Sequence, residues 1–266
     1  MIKKVFAYFS KGELLVWCFS VTVITVSFFV FGGNGFLTLV ASLIGATSIL
    51  INAKGNPVGQ LLMVVFSLLY GIVSYSFSYY GEMLTYLGMT MPMAVFSLIS
   101  WLRHPYRGKR SEVQVNSISK TETVLMFLAA AAITAGFYFI LRSFDTANLI
   151  PSTVSVTTSF LAVYLTFRRS PYFSIAYAAK DVVLIVIWSL ASIQDRSYLS
   201  VVVCFVAFLF NDVYGFIGWQ KLRKKTERSM NFCLYVKLCC AIVKGTCLRR
   251  EGFSAMMKAS MQRRIL

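Results

Sequence analysis

The chain contains eight apolar stretches, each of about the length of a membrane-spanning helix, separated by short polar segments. A helix needs about 17–25 residues to cross roughly 30 Å of hydrocarbon, and none of the stretches is long enough to cross twice. The pattern predicts an all-α integral membrane protein with eight transmembrane helices. We call these stretches spans 1–8, and they are predicted at residues 14–31, 36–52, 57–79, 83–102, 123–141, 151–167, 172–193 and 197–219.

Basic residues alternate between the segments that join the spans. Of the 26 Lys and Arg residues, 23 lie in the N-terminal segment, in the loops after spans 2, 4 and 6, and in the tail. Arg142 and Arg196 lie in the opposite set of loops, and Lys180 lies within span 7. Because positively charged loops stay in the cytoplasm, both termini are predicted to be cytoplasmic, in a multi-pass protein of the cell (inner) membrane.

Composition agrees with a bilayer as the environment of the chain. Apolar residues make up 58% of the sequence, and the mean hydropathy is +0.70. The net charge of +16 is divided among short loops and a tail, whereas a nucleic-acid-binding face would be continuous, so no nucleic-acid partner is predicted. Residues 1–31 resemble a signal peptide, but no small-x-small cleavage site ends the apolar run, so span 1 is predicted to be retained.

Motifs for enzymatic chemistry, metals and disulfides are absent from the sequence. It has no HxxEH or GxSxG motif and no phosphate-binding glycine loop, and its one histidine, His104, lies in a basic loop. We therefore predict no enzymatic activity, no catalytic residues and no cofactor. Cys18 and Cys204 lie in spans, and no CxxC pair occurs, so neither a disulfide nor a metal site is predicted. The other cysteines lie in the tail, at Cys233, Cys239, Cys240 and Cys247.

Spans 3 and 4 resemble spans 7 and 8. Pro57 and Pro171 each follow a basic segment and open a pair, and Trp101 and Trp219 close the pairs. Spans 2 and 6 run in the same direction and lead into these pairs, which defines two triplets, spans 2–4 and 6–8, joined by span 5. One span between the triplets gives them the same orientation. The sequence thus predicts a parallel repeat with a substrate site between the triplets, and a peripheral span 1.

Three segments carry a family resemblance. Residues 78–93, 97–103 and 210–219, the last of them followed by a basic run, resemble the PnuC family of nicotinamide riboside transporters. The resemblance covers about residues 34–225. It implies a SWEET-like fold of three plus one plus three helices with an extra N-terminal helix, and facilitated diffusion of a vitamin that a cytoplasmic kinase then traps. The corresponding segments are 1–35 (extra helix), 36–105 (first triplet), 106–148 (loop and linker helix), 149–220 (second triplet) and 221–266 (basic tail).

Two ionisable residues lie in the middle of span 7. Lys180 and Asp181 are roughly 13 Å from the start of the helix, where a charge costs at least ~2.5 kcal/mol and normally faces the bundle interior. One interpretation is structural: Lys180 pairs with Asp181 or with Asp212 of span 8 and holds helices together. The other is that Asp181 contacts substrate. Because neighbouring residues diverge by about 100° on a helix, Lys180 and Asp181 are not expected to face one ligand.

A stripe on span 7 is the main candidate for substrate binding. Tyr177, Asp181 and Trp188 share one helical face. Aromatic rings and a carboxylate suit a flat cation such as the pyridinium of nicotinamide riboside. The resemblance aligns Tyr177 with a Trp and Asp181 with an Asn of the family, while Ser174 and Tyr177 stand where Trp is common. Thiamine and riboflavin therefore stay as alternative substrates, and lipid-facing or packing roles as the alternative for the stripe.

Further candidates lie in spans 3, 4 and 8. Gln60 is a candidate polar contact in span 3. Glu82, at the turn before span 4, is expected to be a solvated loop carboxylate. In span 8 a polar break predicts substrate contacts at Asn211 and Tyr214, and hinge or gating residues at Asp212 and Gly215, with Pro92 at the equivalent level of span 4.

Two predictions concern energetics and partners. Since few carboxylates lie in the spans and Lys180 can neutralise them, we predict uniport, with a non-transporting membrane receptor or assembly factor as the alternative class. The partners predicted are the small-molecule vitamin nucleoside, the lipid bilayer and a possible second copy of the chain. The tail from Lys221 contains twelve basic residues, which predicts either an interfacial helix on anionic lipid or disorder.

Overall fold

The computed structural model describes residues 9–31, 35–77, 79–146 and 148–243, without the side chains of residues 230–243. Within these residues eight helices are long and apolar enough to cross a membrane, which confirms the predicted helical membrane fold. Span 8 begins with a 3-10 turn at Arg196–Tyr198 and continues in the helix Leu199–Val243. The uninterrupted spans are Lys11–Val30 (span 1), Phe36–Ala53 (2), Val58–Ser76 (3), Lys120–Ser143 (5), Leu149–Phe167 (6) and Phe173–Ser192 (7).

The chain divides into two compact units after Arg223, and every site described below lies in the first unit. The predictions for the tail concern its cysteines and its apolar residues Phe232, Leu234, Tyr235, Val236 and Leu238. These side chains lie outside the described residues.

Span 4 changes helix type along its length. It is α-helical over Tyr80–Leu84, π-helical over Thr85–Thr90 and α-helical again over Met91–Arg103. The Met91 N–H donates to the carbonyl oxygen of Tyr86, five residues back, and the next residue, Pro92, has no N–H to donate. The widened turn is therefore placed where the proline interrupts the regular bonding. Single π-helical turns occur frequently at functional sites.

Two buried tryptophans join the triplets at the ends of spans 4 and 8. The rings of Trp101 and Trp219 pack with their centroids 5.3 Å apart. Trp101 Nε1–H donates to the carbonyl oxygen of Thr166 in span 6, and Trp219 Nε1–H donates to that of Asn52 in span 2, at 3.0 and 2.8 Å. Each tryptophan thus bonds the first span of the other triplet. A parallel repeat would produce this reciprocal pattern, and the repeat itself stays a prediction.

The loop after span 4 contains a two-stranded antiparallel hairpin, Pro105–Tyr106 and Lys109–Val113, that the sequence analysis did not foresee. The loop crosses between the triplets. The Val113 N–H donates to the carbonyl oxygen of Gly55, after span 2, at 2.9 Å, and the Asn116 N–H donates to that of Arg169, after span 6, at 3.1 Å. Backbone hydrogen bonds thereby fasten equivalent turns of the two triplets to one connecting loop.

Span 1 contacts the rest of the bundle along one face. The Glu13 carboxylate accepts from Lys54 Nζ at 2.8 Å, which ties the start of span 1 to the turn after span 2. Deeper in the bundle, Ser20 Oγ–H donates to Asn211 Oδ1 of span 8 at 2.9 Å. The opposite face is apolar and open, with the Phe29 side chain 72% exposed. An exposed apolar face on such a helix suits contact with lipid.

Candidate substrate site

A small cavity inside the bundle is enclosed by side chains from spans 2, 3, 4, 7 and 8. Its charged lining consists of Lys180 and Asp181 from span 7 and Asp212 from span 8. The structure thus brings two of the predicted site residues of span 7, Tyr177 and Asp181, together with a predicted hinge residue of span 8. The aromatic lining is formed by Phe66, Tyr86, Tyr177, Phe205 and Phe208.

The cavity has a volume of about 20 Å³. That is room for about one water molecule. Sites that hold drug-sized ligands are usually about 300–1,000 Å³. A nucleoside can therefore enter only when side chains that now fill the site move away.

The carboxyl groups of Asp181 and Asp212 are the acidic groups in the lining of the cavity. Both residues are 4% exposed, and their carboxyl groups are hydrogen-bonded to each other across the interface of spans 7 and 8. Asp181 Oδ2 is buried without a hydrogen-bond partner among the described residues. A buried acceptor without a donor is costly, so the site can gain free energy from a ligand that supplies a positive charge or a hydrogen-bond donor.

Lys180 faces the same cavity as Asp181, so the expectation that the two diverge was wrong. A lysine side chain is long and flexible, so its ammonium group can reach a cavity that its Cα position does not face directly. Its Nζ lies 3.9 Å from the centroid of the Tyr86 ring, a cation–π contact. Among the described residues Lys180 forms no ion pair, so neither pair considered from sequence, with Asp181 or with Asp212, is present.

Glu82 is buried, which corrects the prediction of a solvated loop carboxylate. The residue is 1% exposed, because the helical part of span 4 begins at Tyr80 and carries Glu82 into the bundle. Both carboxylate oxygens are buried and have no hydrogen-bond partner among the described residues. Of the buried carboxyl groups around Lys180, Glu82 has the largest electrostatic effect on it.

Trp188 lies outside the lining of the cavity. It is fully buried, and its Nε1–H donates to Tyr70 Oη at 2.7 Å. Its ring centroid is 4.8 Å from that of Tyr79. Seven residues separate Trp188 from Asp181, about two helical turns or 10 Å, so one stripe reaches two different environments. Trp188 contacts Tyr70, whose ring centroid is 4.4 Å from that of Tyr86 in the cavity lining.

Three other predicted contacts also lie away from the cavity lining. Gln60 is 2% exposed and its side-chain amide donates to Asn52 Oδ1 at 2.8 Å, which joins spans 2 and 3. Asn211 accepts from Ser20 of span 1, and Tyr214 is half-buried on the side of span 8 that faces span 1. These polar groups are used between helices.

The predicted hinge residues have separate surroundings. Asp212 lines the cavity, as described above. Pro92 follows the π-helical turn of span 4 and is outside the lining. At Gly215 an added Cβ would lie 3.4 Å from both Ala53 Cβ and Ser174 Oγ, an ordinary van der Waals contact, so Gly215 lies beside spans 2 and 7. Gating by these residues stays a prediction.

Sequence reasoning missed most of the aromatic lining. Phe205 and Phe208 precede Asp212 by seven and four residues, so these three residues lie on one face of span 8. That spacing was a usable signal. Tyr86 offered no comparable signal, because the π-helical turn changes the periodicity of span 4 at this point.

The chain is similar to known transporters in sequence and in fold. Residues 35–221 match the family described as nicotinamide mononucleotide transporter. The chain is 26% identical over 214 residues to the nicotinamide riboside transporter PnuC of Neisseria mucosa, covering 79% of this chain and 81% of that protein. It also superposes on the crystal structure of the vitamin B3 transporter PnuC with a TM-score of 0.73 and 25% identity. This similarity covers 82% of this chain and 94% of the other.

The family match covers the two predicted triplets and span 5, and it begins after span 1. The chain belongs to the nicotinamide mononucleotide transporter family.

Proposed function

We propose that this multi-pass membrane protein carries nicotinamide riboside across the membrane. The similar protein of Neisseria mucosa is named a nicotinamide riboside transporter. The observation that carries the proposal is the buried pair Asp181 and Asp212, set among aromatic rings in a cavity between membrane spans. Nicotinamide riboside contains a flat, positively charged pyridinium ring. Carboxylates compensate its charge, and a cation over a Tyr ring gains ~0.5–2 kcal/mol.

The proposed substrate contacts are Tyr177, Asp181 and Asp212. Tyr177 provides the aromatic face on the same helix as Asp181, four residues earlier. Trp188 acts indirectly, through Tyr70. Gln60, Asn211 and Tyr214 serve packing between helices, where their observed contacts lie.

The proposed mode of transport is facilitated diffusion by uniport. A proton-coupled carrier requires a titratable group that is linked to solvent by a relay of hydrogen-bonding groups. Here the carboxylate oxygens of Glu82 and one oxygen of Asp181 have no hydrogen-bond partner among the described residues. Net uptake would then depend on a cytoplasmic kinase that phosphorylates the nucleoside and prevents its return. The chain itself is proposed to have no enzymatic activity.

Purified protein in sealed vesicles is expected to equilibrate labelled nicotinamide riboside and then to stop at the external concentration. With the membrane potential held at zero, a uniporter has no energy source for a gradient of a cation, so an imposed proton gradient should leave the final level unchanged. Vesicles without protein provide the control, and excess unlabelled thiamine or riboflavin tests the alternative substrates.

Three outcomes would contradict parts of this proposal. Uptake no faster than in empty vesicles would favour the receptor or assembly-factor class. Accumulation above the external concentration that is driven by an imposed proton gradient, with the membrane potential held at zero, would exclude uniport. Competition by thiamine or riboflavin at lower concentrations than nicotinamide riboside would show that the preferred substrate is that vitamin and not nicotinamide riboside.

The location is proposed to be the cell (inner) membrane, with both termini in the cytoplasm. The basic loops after spans 2, 4 and 6 support this orientation. A reporter that is active only in the cytoplasm, fused after Leu266, is expected to be active. A reporter inserted beside Asp195, between spans 7 and 8, should be inactive. An active reporter beside Asp195 together with an inactive one after Leu266 would mean that the topology is the reverse of the one proposed.

A further inference from the structure

We propose that Lys180 is an internal cation that occupies the place of the substrate's positive charge, and that it withdraws to Glu82 when a cationic substrate enters. The inference rests on the proposed function. It assigns a specificity role to two residues that the proposed substrate contacts do not include.

The first step is the position of the ammonium group. Lys180 Nζ lies 3.9 Å from the Tyr86 ring centroid, inside the lining of the cavity. A pyridinium ring would seek the same aromatic surroundings and the same two carboxyl groups, Asp181 and Asp212. Lys180 and a cationic substrate therefore compete for one place, and the volume of about 20 Å³ leaves no room for both.

The second step is the position of Glu82, the residue to which Lys180 withdraws. Glu82 lies four residues before Tyr86, about one turn or 6 Å away along span 4. It lies outside the cavity lining, it is 1% exposed, and neither of its oxygens has a hydrogen-bond partner among the described residues. Burial of an unpaired carboxylate is costly, so an arriving ammonium group is stabilised there.

The third step is the balance of charge. In the observed form Lys180 forms no ion pair among the described residues, although it lies near Glu82 as well as Asp181 and Asp212. After withdrawal, Lys180 forms an ion pair with Glu82, and the substrate compensates Asp181 and Asp212. The exchange thus adds an ion pair at Glu82 and keeps one positive charge beside Asp181 and Asp212. A neutral ligand cannot replace Lys180 beside Asp181 and Asp212, and this disfavours its entry.

The test measures the affinity of purified protein for nicotinamide riboside and for its dihydropyridine form, which has nearly the same shape without the charge. In Lys180→Met the competitor and its repulsion of a bound cation are both absent, so the cation should bind about 2- to 30-fold more tightly, while the neutral form, which Lys180 does not repel, should gain less. In Glu82→Gln the destination is absent, and the cation should bind more weakly. Lys120→Met, at an exposed lysine at the start of span 5, is the matched control.

A double variant separates this exchange from a general effect of charge. If Glu82 acts by receiving Lys180, Glu82→Gln should change cation affinity in the wild-type background and have no effect in the Lys180→Met background. An equal effect of Glu82→Gln in both backgrounds would contradict the exchange. Weaker cation binding by Lys180→Met would also contradict it, because Lys180 would then assist the substrate.

A structure of the wild-type protein with nicotinamide riboside bound tests the proposal without any substitution. Lys180 Nζ should then lie within about 4 Å of a Glu82 oxygen and away from Tyr86. Lys180 still over Tyr86 with ligand in the cavity would overturn the exchange but leave the proposed function intact. Failure of the wild-type protein to bind either ligand would instead refute the proposed function.

Discussion

Replacing Trp188 with alanine is expected to lower the free energy of unfolding by about 3–5 kcal/mol. The side chain is fully buried, donates a hydrogen bond to Tyr70 and packs against Tyr79, so its removal leaves a cavity and an unpaired hydroxyl. A role of Trp188 as a substrate contact, as its place in the stripe on span 7 suggests, would instead give a folded variant that loses only a stacking surface. Thermal unfolding of the purified variant in detergent measures the effect.

Two further variants locate the cause. Trp188→Phe keeps an aromatic ring and loses the hydrogen bond, so it should cost less, about 1 kcal/mol. Phe29→Ala removes a 72% exposed ring of span 1 and should change the melting temperature little. If Trp188→Ala melted like Phe29→Ala and weakened cationic substrate selectively, Trp188 would be a direct contact after all.

Replacing both Asp181 and Asp212 with asparagine is expected to weaken binding of nicotinamide riboside by roughly 1.5–3 kcal/mol, about 10- to 100-fold. The double variant removes the two carboxyl groups that face the cavity and keeps the size of the side chains. The neutral dihydropyridine form should lose much less affinity, because its binding does not depend on charge compensation. Titration of both ligands against the same preparation measures the difference.

Single variants and an exposed control complete this experiment. Asp181→Asn or Asp212→Asn alone should have a smaller effect, since one carboxylate is still present. Asp145→Asn is the matched control: Asp145 is exposed and has a φ of 46°, a left-handed conformation that asparagine tolerates well. Equal losses for both ligands together with a lower melting temperature would mean that the aspartates stabilise the fold and do not select a charge.

The membrane fold follows from local properties of the chain. Whether a segment can cross the bilayer depends on its own length and hydropathy, and both can be read along the sequence. The eight predicted spans accordingly agree with the eight helices found in the described residues, and the boundaries differ by a few residues, except that the helix of span 8 continues to Val243. Asp181 was predicted in the interior for the same reason, because a carboxyl group at that depth is costly in lipid.

The partners of each buried group depend on how helices pack, and sequence spacing does not contain that information. The stripe of Tyr177, Asp181 and Trp188 is real as a helical face, yet two turns of helix place Trp188 among other rings. Lys180 reaches the cavity because its side chain is long and flexible, which an angle between neighbouring Cα positions does not capture.

Glu82 shows most clearly what only the tertiary structure decided. In the sequence it sits at a polar turn, where solvation is the usual outcome. In the structure span 4 begins three residues earlier than predicted, and the neighbouring spans cover the carboxylate. The hydropathy of the segment predicted a helix, whereas the start of that helix, its π-helical turn and the helices packed around it determined which charges are buried together.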